Sequence, residues 1–191
     1  MTSRGVLEYV AFQIVWLACA LGAANGSNLP GVAAALAVVS VHIALSTSRS
    51  AAVTMVAMCG FVGFAAESLF AMTGVLRYAA AWPSTSVAPA WIVALWLAFA
   101  ITLPATRWML GERPLAKAAA LGAVFGPAAY LAGDRIGALQ MTTPVWHGLL
   151  LTAVVWALAF PTLVALSGRK SCAATKPSKS NEGPTGGPSR S

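Results

Sequence analysis

Charge is what this sequence has least of. Only 9% of its 191 residues are Asp, Glu, Lys or Arg, whereas a soluble domain carries roughly 25%. A surface so poor in charge is not kept in water, which excludes a free water-soluble globule and leaves hydrocarbon as the surrounding medium. Acidic residues are the scarcest, five against twelve Lys and Arg. Three cysteines are present. Cys19 and Cys59 lie inside apolar runs and Cys172 near the C-terminus, with no Cys-x-x-Cys and no Cys/His cluster. That excludes a disulfide framework and a zinc site. The two histidines, His42 and His147, stand far apart with no second ligand at metal spacing. Neither a metal nor another cofactor is expected. No Gly-x-Ser-x-Gly, no glycine-rich phosphate loop and no His-Glu-x-x-His occurs. The net charge of +7 does not indicate nucleic acid. Its cations fall in short loops and a tail rather than in a patch interleaved with polar or aromatic residues.

What the sequence does have is apolar length, 58% of its residues being hydrophobic. A spanning helix needs roughly 20 mostly apolar residues, and six stretches qualify: Val6 to Ala24, Leu29 to Leu45, Ala51 to Thr73, Ala90 to Leu110, Leu115 to Gly133 and Val145 to Ser167. The expected fold is all-α, a six-helix transmembrane bundle over residues 1–168. Connections are short except for Gly74 to Pro89. From residue 169 to 191 the composition turns to Ser, Pro, Gly and Lys, which predicts a disordered basic tail.

Positive residues set the orientation. With the N-terminus inside, Arg4, Arg49, Arg107, Arg113, Lys117, Arg169, Lys170, Lys176, Lys179 and Arg190 lie on the cytoplasmic side, and only Arg77 and Arg135 lie outside. Both termini are therefore expected in the cytoplasm. Trp82, Trp91 and Trp146 are expected at the outer interface, Tyr9 and Trp108 at the inner one. Reading the first stretch as a cleaved signal peptide at Ala18-Cys19-Ala20 is disfavoured by its single Arg and by Glu8 and Gln13 within the run.

Polar residues at membrane depth are costly and each is a functional candidate. Glu67 is the sharpest. Gly60, Gly63, Glu67, Ala71 and Gly74 recur at spacings of three and four, on one helix face, so Glu67 is expected to point into the bundle. Arg77 or Arg135 is its expected partner, in an outer polar pocket with Asp134, His147, Asn25 and Asn28. The plainer reading is an inter-helix bond that fixes packing, with Arg77, Arg135 and His147 snorkelling to headgroups. A second stripe, Gly122, Gly126, Tyr130 and Gly133, reads as a helix-packing face. Pro104, Pro127 and Pro161 are expected to bend their helices. Gln13 and His42 are expected to bond to neighbouring helices.

The chain also resembles a known family. Phe12-Gln13-x-x-Trp16 is followed by Gly63-x-x-x-Glu67-Ser68, Gly74-x-x-x-Tyr78, Pro89-x-Trp91, Leu95-Trp96-x-x-Phe99 and Thr102-Leu103. Gly122-Ala123-x-x-Gly126-Pro127-x-x-Tyr130-x-Ala132-Gly133 and Gly137-Ala138 come last. In order and spacing these resemble a family of small multi-pass bacterial inner-membrane proteins known as a domain of unknown function, over about Tyr9 to Pro161. Its acidic position in helix three is usually Asp, and Glu67 keeps the charge. The resemblance implies an inner-membrane bundle with no assigned reaction and a link to membrane lipid metabolism.

Three readings follow. The leading one is a non-catalytic bundle that binds a lipid, another small molecule or a partner subunit, as a homo- or hetero-oligomer through its glycine faces. The second is a small proton-coupled transporter using Glu67. The third is an enzyme acting on lipid at the outer leaflet, with Glu67 or Asp134 as general acid–base; no nucleophile or metal accompanies them.

Overall fold

The computed structural model describes residues 3–142 and 144–173, with side chains as far as Gly168. In chain order the elements are α1 (Ser3–Ala24), α2 (Leu29–Ala44), α3 (Arg49–Met72), β1 (Leu76–Tyr78), α4 (Ala90–Phe99), α5 (Leu103–Leu110), α6 (Pro114–Ile136), β2 (Leu139–Met141) and α7 (Val145–Ala173). A single 3-10 turn, Ala100–Thr102, joins α4 to α5, so the two make one rod from Ala90 to Leu110. The helical bundle expected from the apolar runs is the fold observed. Five of its helices are long and apolar enough to cross a membrane.

The helix limits have local causes. Ser48 Oγ accepts from Ala51 N at 3.4 Å and caps α3. Prolines open α2, α5 and α6, where a missing N–H costs nothing. Gly137 ends α6 at a φ of +87°, a conformation glycine adopts without steric cost, and its N–H bonds back to Asp134 O at 3.0 Å.

Three expectations need correction. The second helix has 16 residues, about 24 Å of rise, short of the roughly 30 Å of a hydrocarbon core. The fifth stretch runs on to Ile136, so Asp134 and Arg135 belong to the last turn of α6 rather than to a loop. The sixth continues as helical backbone to Ala173; beyond that, the tail expected from residue 169 lies outside the described residues. Pro104 follows the 3-10 turn, and helical backbone continues through Pro127 and Pro161.

The long connection before α4 also holds a strand that the sequence did not announce. β1 pairs antiparallel with β2 in the register Leu76 with Met141, Arg77 with Gln140 and Tyr78 with Leu139. Ala79 N to Ala138 O at 2.9 Å and Thr142 N to Val75 O at 3.1 Å extend the ribbon at both ends. Alternation decides its faces: Leu76, Leu139 and Met141 are buried beside Phe70 and Tyr130, while Arg77 and Gln140 point outward.

Helix α4 is the centre of the bundle. It packs on α1, α2 and α3 and buries Trp91, Ile92, Ala94, Trp96 and Ala98. Glycines permit these approaches. A Cβ on Gly63 would stand 2.0 Å from Trp96 Cγ, and one on Gly126 would stand 2.5 Å from Trp156 Cγ. The outer surface carries exposed Leu7, Leu29, Phe61, Val124, Phe125 and Leu158. An apolar exterior of this extent belongs in lipid. Trp82, Trp108 and Trp146 are exposed. Trp91, expected with them, is instead buried, its Nε1 donating to Ala79 O at 3.0 Å.

Candidate functional site

Glu67 sits on the buried face of α3 with Gly60 and Gly63, and its exposure is 0%. Three neutral donors meet its carboxyl group. Trp96 Nε1 of α4 donates to Oε1 at 2.7 Å, Tyr130 of α6 donates its hydroxyl to the same oxygen, and Tyr78 of β1 donates to Oε2 at 2.6 Å. A carboxylate offers about four acceptor positions, and three are engaged here. One side chain thus ties α3 to α4, α6 and the ribbon.

The expected polar pocket around Glu67 does not form. Arg77 and Arg135 are exposed, pointing away, and no ion pair to Glu67 exists among the described residues. Asp134 Oδ1 instead accepts from Met141 N at 3.0 Å, holding β2 against the end of α6. His147 is exposed, its ring centroid 3.7 Å from that of Trp146. Asn28 clamps the ribbon-side loop, donating to Ala80 O at 3.0 Å and accepting from Trp91 N at 3.1 Å. Asn25 caps its own helix through Leu21 O. The physical reason is reach. Arg77 occupies an outward position of a two-residue alternation, while its neighbour Tyr78 occupies the inward one and takes the carboxylate.

The glycine faces are consumed inside the chain. Gly60 faces Leu97, Gly63 faces Trp96, Gly122 and Gly126 face Trp156, and Gly133 faces Leu139. Tyr130, placed on a packing stripe by the sequence, is equally a ligand of Glu67.

Beside this cluster lies a cavity of about 510 Å³ between α1, the α4–α5 rod, α6 and α7, walled largely by Phe12, Trp16, Phe99, Phe125, Trp156 and Phe160. Its volume is within the range of small-molecule sites. On α1 it extends from Tyr9 to Ala20 and on α6 from Leu121 to Gly133, about 16–18 Å along each axis. Trp96 and Trp156 stack with centroids 4.6 Å apart, and Phe99 meets Trp156 edge-on at 5.5 Å, so the inner wall is a continuous aromatic layer. Glu67 borders the cavity yet exposes none of its surface; the aromatic layer stands in front of it. The polar side chains on the open wall are few. Tyr9 and Thr106 bond to each other through their hydroxyls, and Gln13 is exposed at the middle of α1. Against expectation, Gln13 has no hydrogen-bond partner among the described residues.

A second cavity opens where α1 meets α2, around Arg4, Glu8 and His42. Glu8 Oε1 takes Arg4 Nε at 3.1 Å and lies 3.2 Å from His42 Nδ1, while Arg4 Nη1 donates to Leu45 O at 3.3 Å. The expected bond from His42 to a neighbouring helix is therefore present. Its partner was legible only in part, because Glu8 read as an interruption of the apolar run.

Among the described residues no three His, Cys, Asp or Glu side chains gather as a metal site. Cys19 and Cys59 are buried and free, and the Cys19 thiol donates to Trp91 O at 3.3 Å. No curated protein matches the chain, and no solved structure does. Residues 5–162, which contain Glu67, its three donors and the entire crevice wall, match the family described as a protein of unknown function, DUF2878, and the chain belongs to that family.

Proposed function

We propose that this membrane protein holds an apolar molecule of the bilayer in the crevice between α1 and α6, without transforming it, in the bacterial inner membrane with both termini in the cytoplasm. The observation that carries the reading is the cavity itself: about 510 Å³ of space walled by aromatic rings at membrane depth. In hydrocarbon such a space is filled from the surrounding lipid. The wall exposes no charged side chain, so its occupant is neutral over the buried length. Glu67 supports the wall rather than the ligand. Its three donors come from residues whose rings line or back the crevice, and losing any of them would loosen the aromatic layer. A carrier role would need the carboxyl group to meet water or substrate, and its 0% exposure speaks against that. The basic residues at the ends of α1, α3, α5 and α6 support the orientation.

The test is the content of the crevice. Wild-type protein purified in mild detergent should retain a bilayer molecule that solvent extraction and mass spectrometry detect. Ala129→Trp, which adds a ring to an exposed cavity-lining position, should lose it while keeping its helicity. Equal retention by both proteins would defeat the reading. A reporter fused to the C-terminus should be active on the cytoplasmic side.

A further inference from the structure

We infer that Gln13 is the recognition point of the crevice, and that its occupant carries a neutral carbonyl or hydroxyl within an apolar skeleton. This rests on the ligand-binding reading above and goes further by naming the ligand's chemistry. Gln13 lies at the middle of the 22-residue α1, about 15 Å from either end, where an unsatisfied amide is costly because lipid supplies no hydrogen bonds. Of the other polar groups around the crevice, only the indole N–H of half-buried Trp16, a donor without acceptor capacity, is likewise without a hydrogen-bond partner among the described residues. Tyr9 and Thr106 bond to each other, Thr106 also donates to Thr102 O at 2.8 Å, and Glu67 is closed off behind Trp96 and Tyr130. Trp156 Nε1 is buried within the wall beside the Tyr130 side chain. Gln13 alone combines an exposed position on the wall with an unused amide.

The residue type narrows the ligand. A primary amide offers two donors and one acceptor and bears no charge, so it matches a ketone, ester or hydroxyl oxygen. Phosphate or carboxylate would meet no cation on this wall. An ammonium would meet no accessible anion, since the Glu67 carboxylate is covered. On the same wall Tyr9 and Phe12 precede Gln13 and Trp16 follows it, so aromatic ring surface lies on both sides along the helix. The polar atom of the occupant therefore sits part-way along its skeleton.

Binding of four matched probes to the detergent-purified full chain tests this: a straight-chain alkane and its counterparts with a ketone, hydroxyl or primary amine at the central carbon, read by displacement of a fluorescent lipid. The ketone and alcohol should bind about tenfold more tightly than the alkane, one net hydrogen bond's worth. In Gln13→Leu that preference should vanish while alkane binding persists, which also certifies that the variant folds. Equal binding of alkane and ketone to wild type, or a preference that survives Gln13→Leu, would overturn the inference and leave the crevice reading intact. Tightest binding of the amine would overturn it in favour of a cation site. A wild-type oligomer that Gln13→Leu converts to monomer would reassign Gln13 to a helix–helix interface. Failure of all four probes to bind folded wild type would overturn the crevice reading itself.

Discussion

The indole of Trp96 rests directly on Gly63 and donates its N–H to Glu67, one turn further along the same helix. Close approach and hydrogen bond depend on each other: a side chain at residue 63 would lift the ring and withdraw its nitrogen from the carboxyl oxygen.

Gly63→Ala should therefore destabilise the protein more than Gly60→Ala. The added methyl meets the root of a fixed ring at 2.0–2.5 Å in the first case, and the flexible tip of Leu97 at 2.5 Å in the second. Overpacking of a fixed neighbour costs about 1–3 kcal/mol. Thermal denaturation in detergent, followed by tryptophan fluorescence, checks the order; equal melting temperatures would contradict it.

Glu67→Gln and Glu67→Leu should separate cleanly. Gln keeps an oxygen for Trp96 and Tyr130, and the Tyr78 hydroxyl can turn to accept from the new amide. Leu leaves three buried donors without an acceptor, at about 1–3 kcal/mol each. The expected result is near-native melting for Gln and failure to accumulate folded protein for Leu. A Gln variant as unstable as Leu would show that the charge, rather than the acceptors, holds the junction.

Tyr78 should make the fold sensitive to alkali. Burial pushes its phenol well above the ordinary value of 10.0, and the neighbouring Glu67 adds to the shift. Between that ordinary value and the raised one, the folded state keeps a proton that the unfolded chain releases. Stability is consequently full below about pH 10 and falls as pH rises beyond it. Alkaline titration by near-ultraviolet absorbance should show tyrosine that ionises only on unfolding, and Tyr78→Phe should reduce its amplitude without abolishing it, since Tyr130 is buried on the same carboxyl group.

Asp134→Ala should loosen the ribbon without dissolving the bundle. The carboxylate's bond to Met141 N is a charge-assisted one, worth about 1.5–3 kcal/mol where it is protected from water. Faster hydrogen exchange at Met141 and Ala79, with exchange in α4 unchanged, is the expected signature; Asp134→Asn should restore much of the protection.

The spanning segments were legible because lipid imposes a simple rule of apolar length, and observed limits differ from expected ones by a few residues. The exceptions, at α6 and α7, came from assuming that helices stop where the apolar run stops; backbone hydrogen bonds carried them further. The ribbon was not legible, since three-residue strands give too short an alternation to register, and their pairing spans everything from α4 to α6. Glu67 was found by its cost in lipid, but its partners were missed because a buried acid invites a search for cations. Tyr78, Trp96 and Tyr130 were all in view as family-like or packing residues, and a donor inventory would have found them. Gln13 was taken for a satisfied inter-helix bond, and only the geometry reveals it as open.

The brevity of α2 has a mechanical consequence for the membrane. Termini on one side of the membrane, as proposed, require α2 to cross as well, and its 16 residues reach about 24 Å against a hydrocarbon layer of about 30 Å, so the leaflets would pinch inward beside it or its flanks would be drawn below the headgroups. The cost would grow with every ångström of mismatch, which would make the protein a better tenant of thin bilayers than of thick ones.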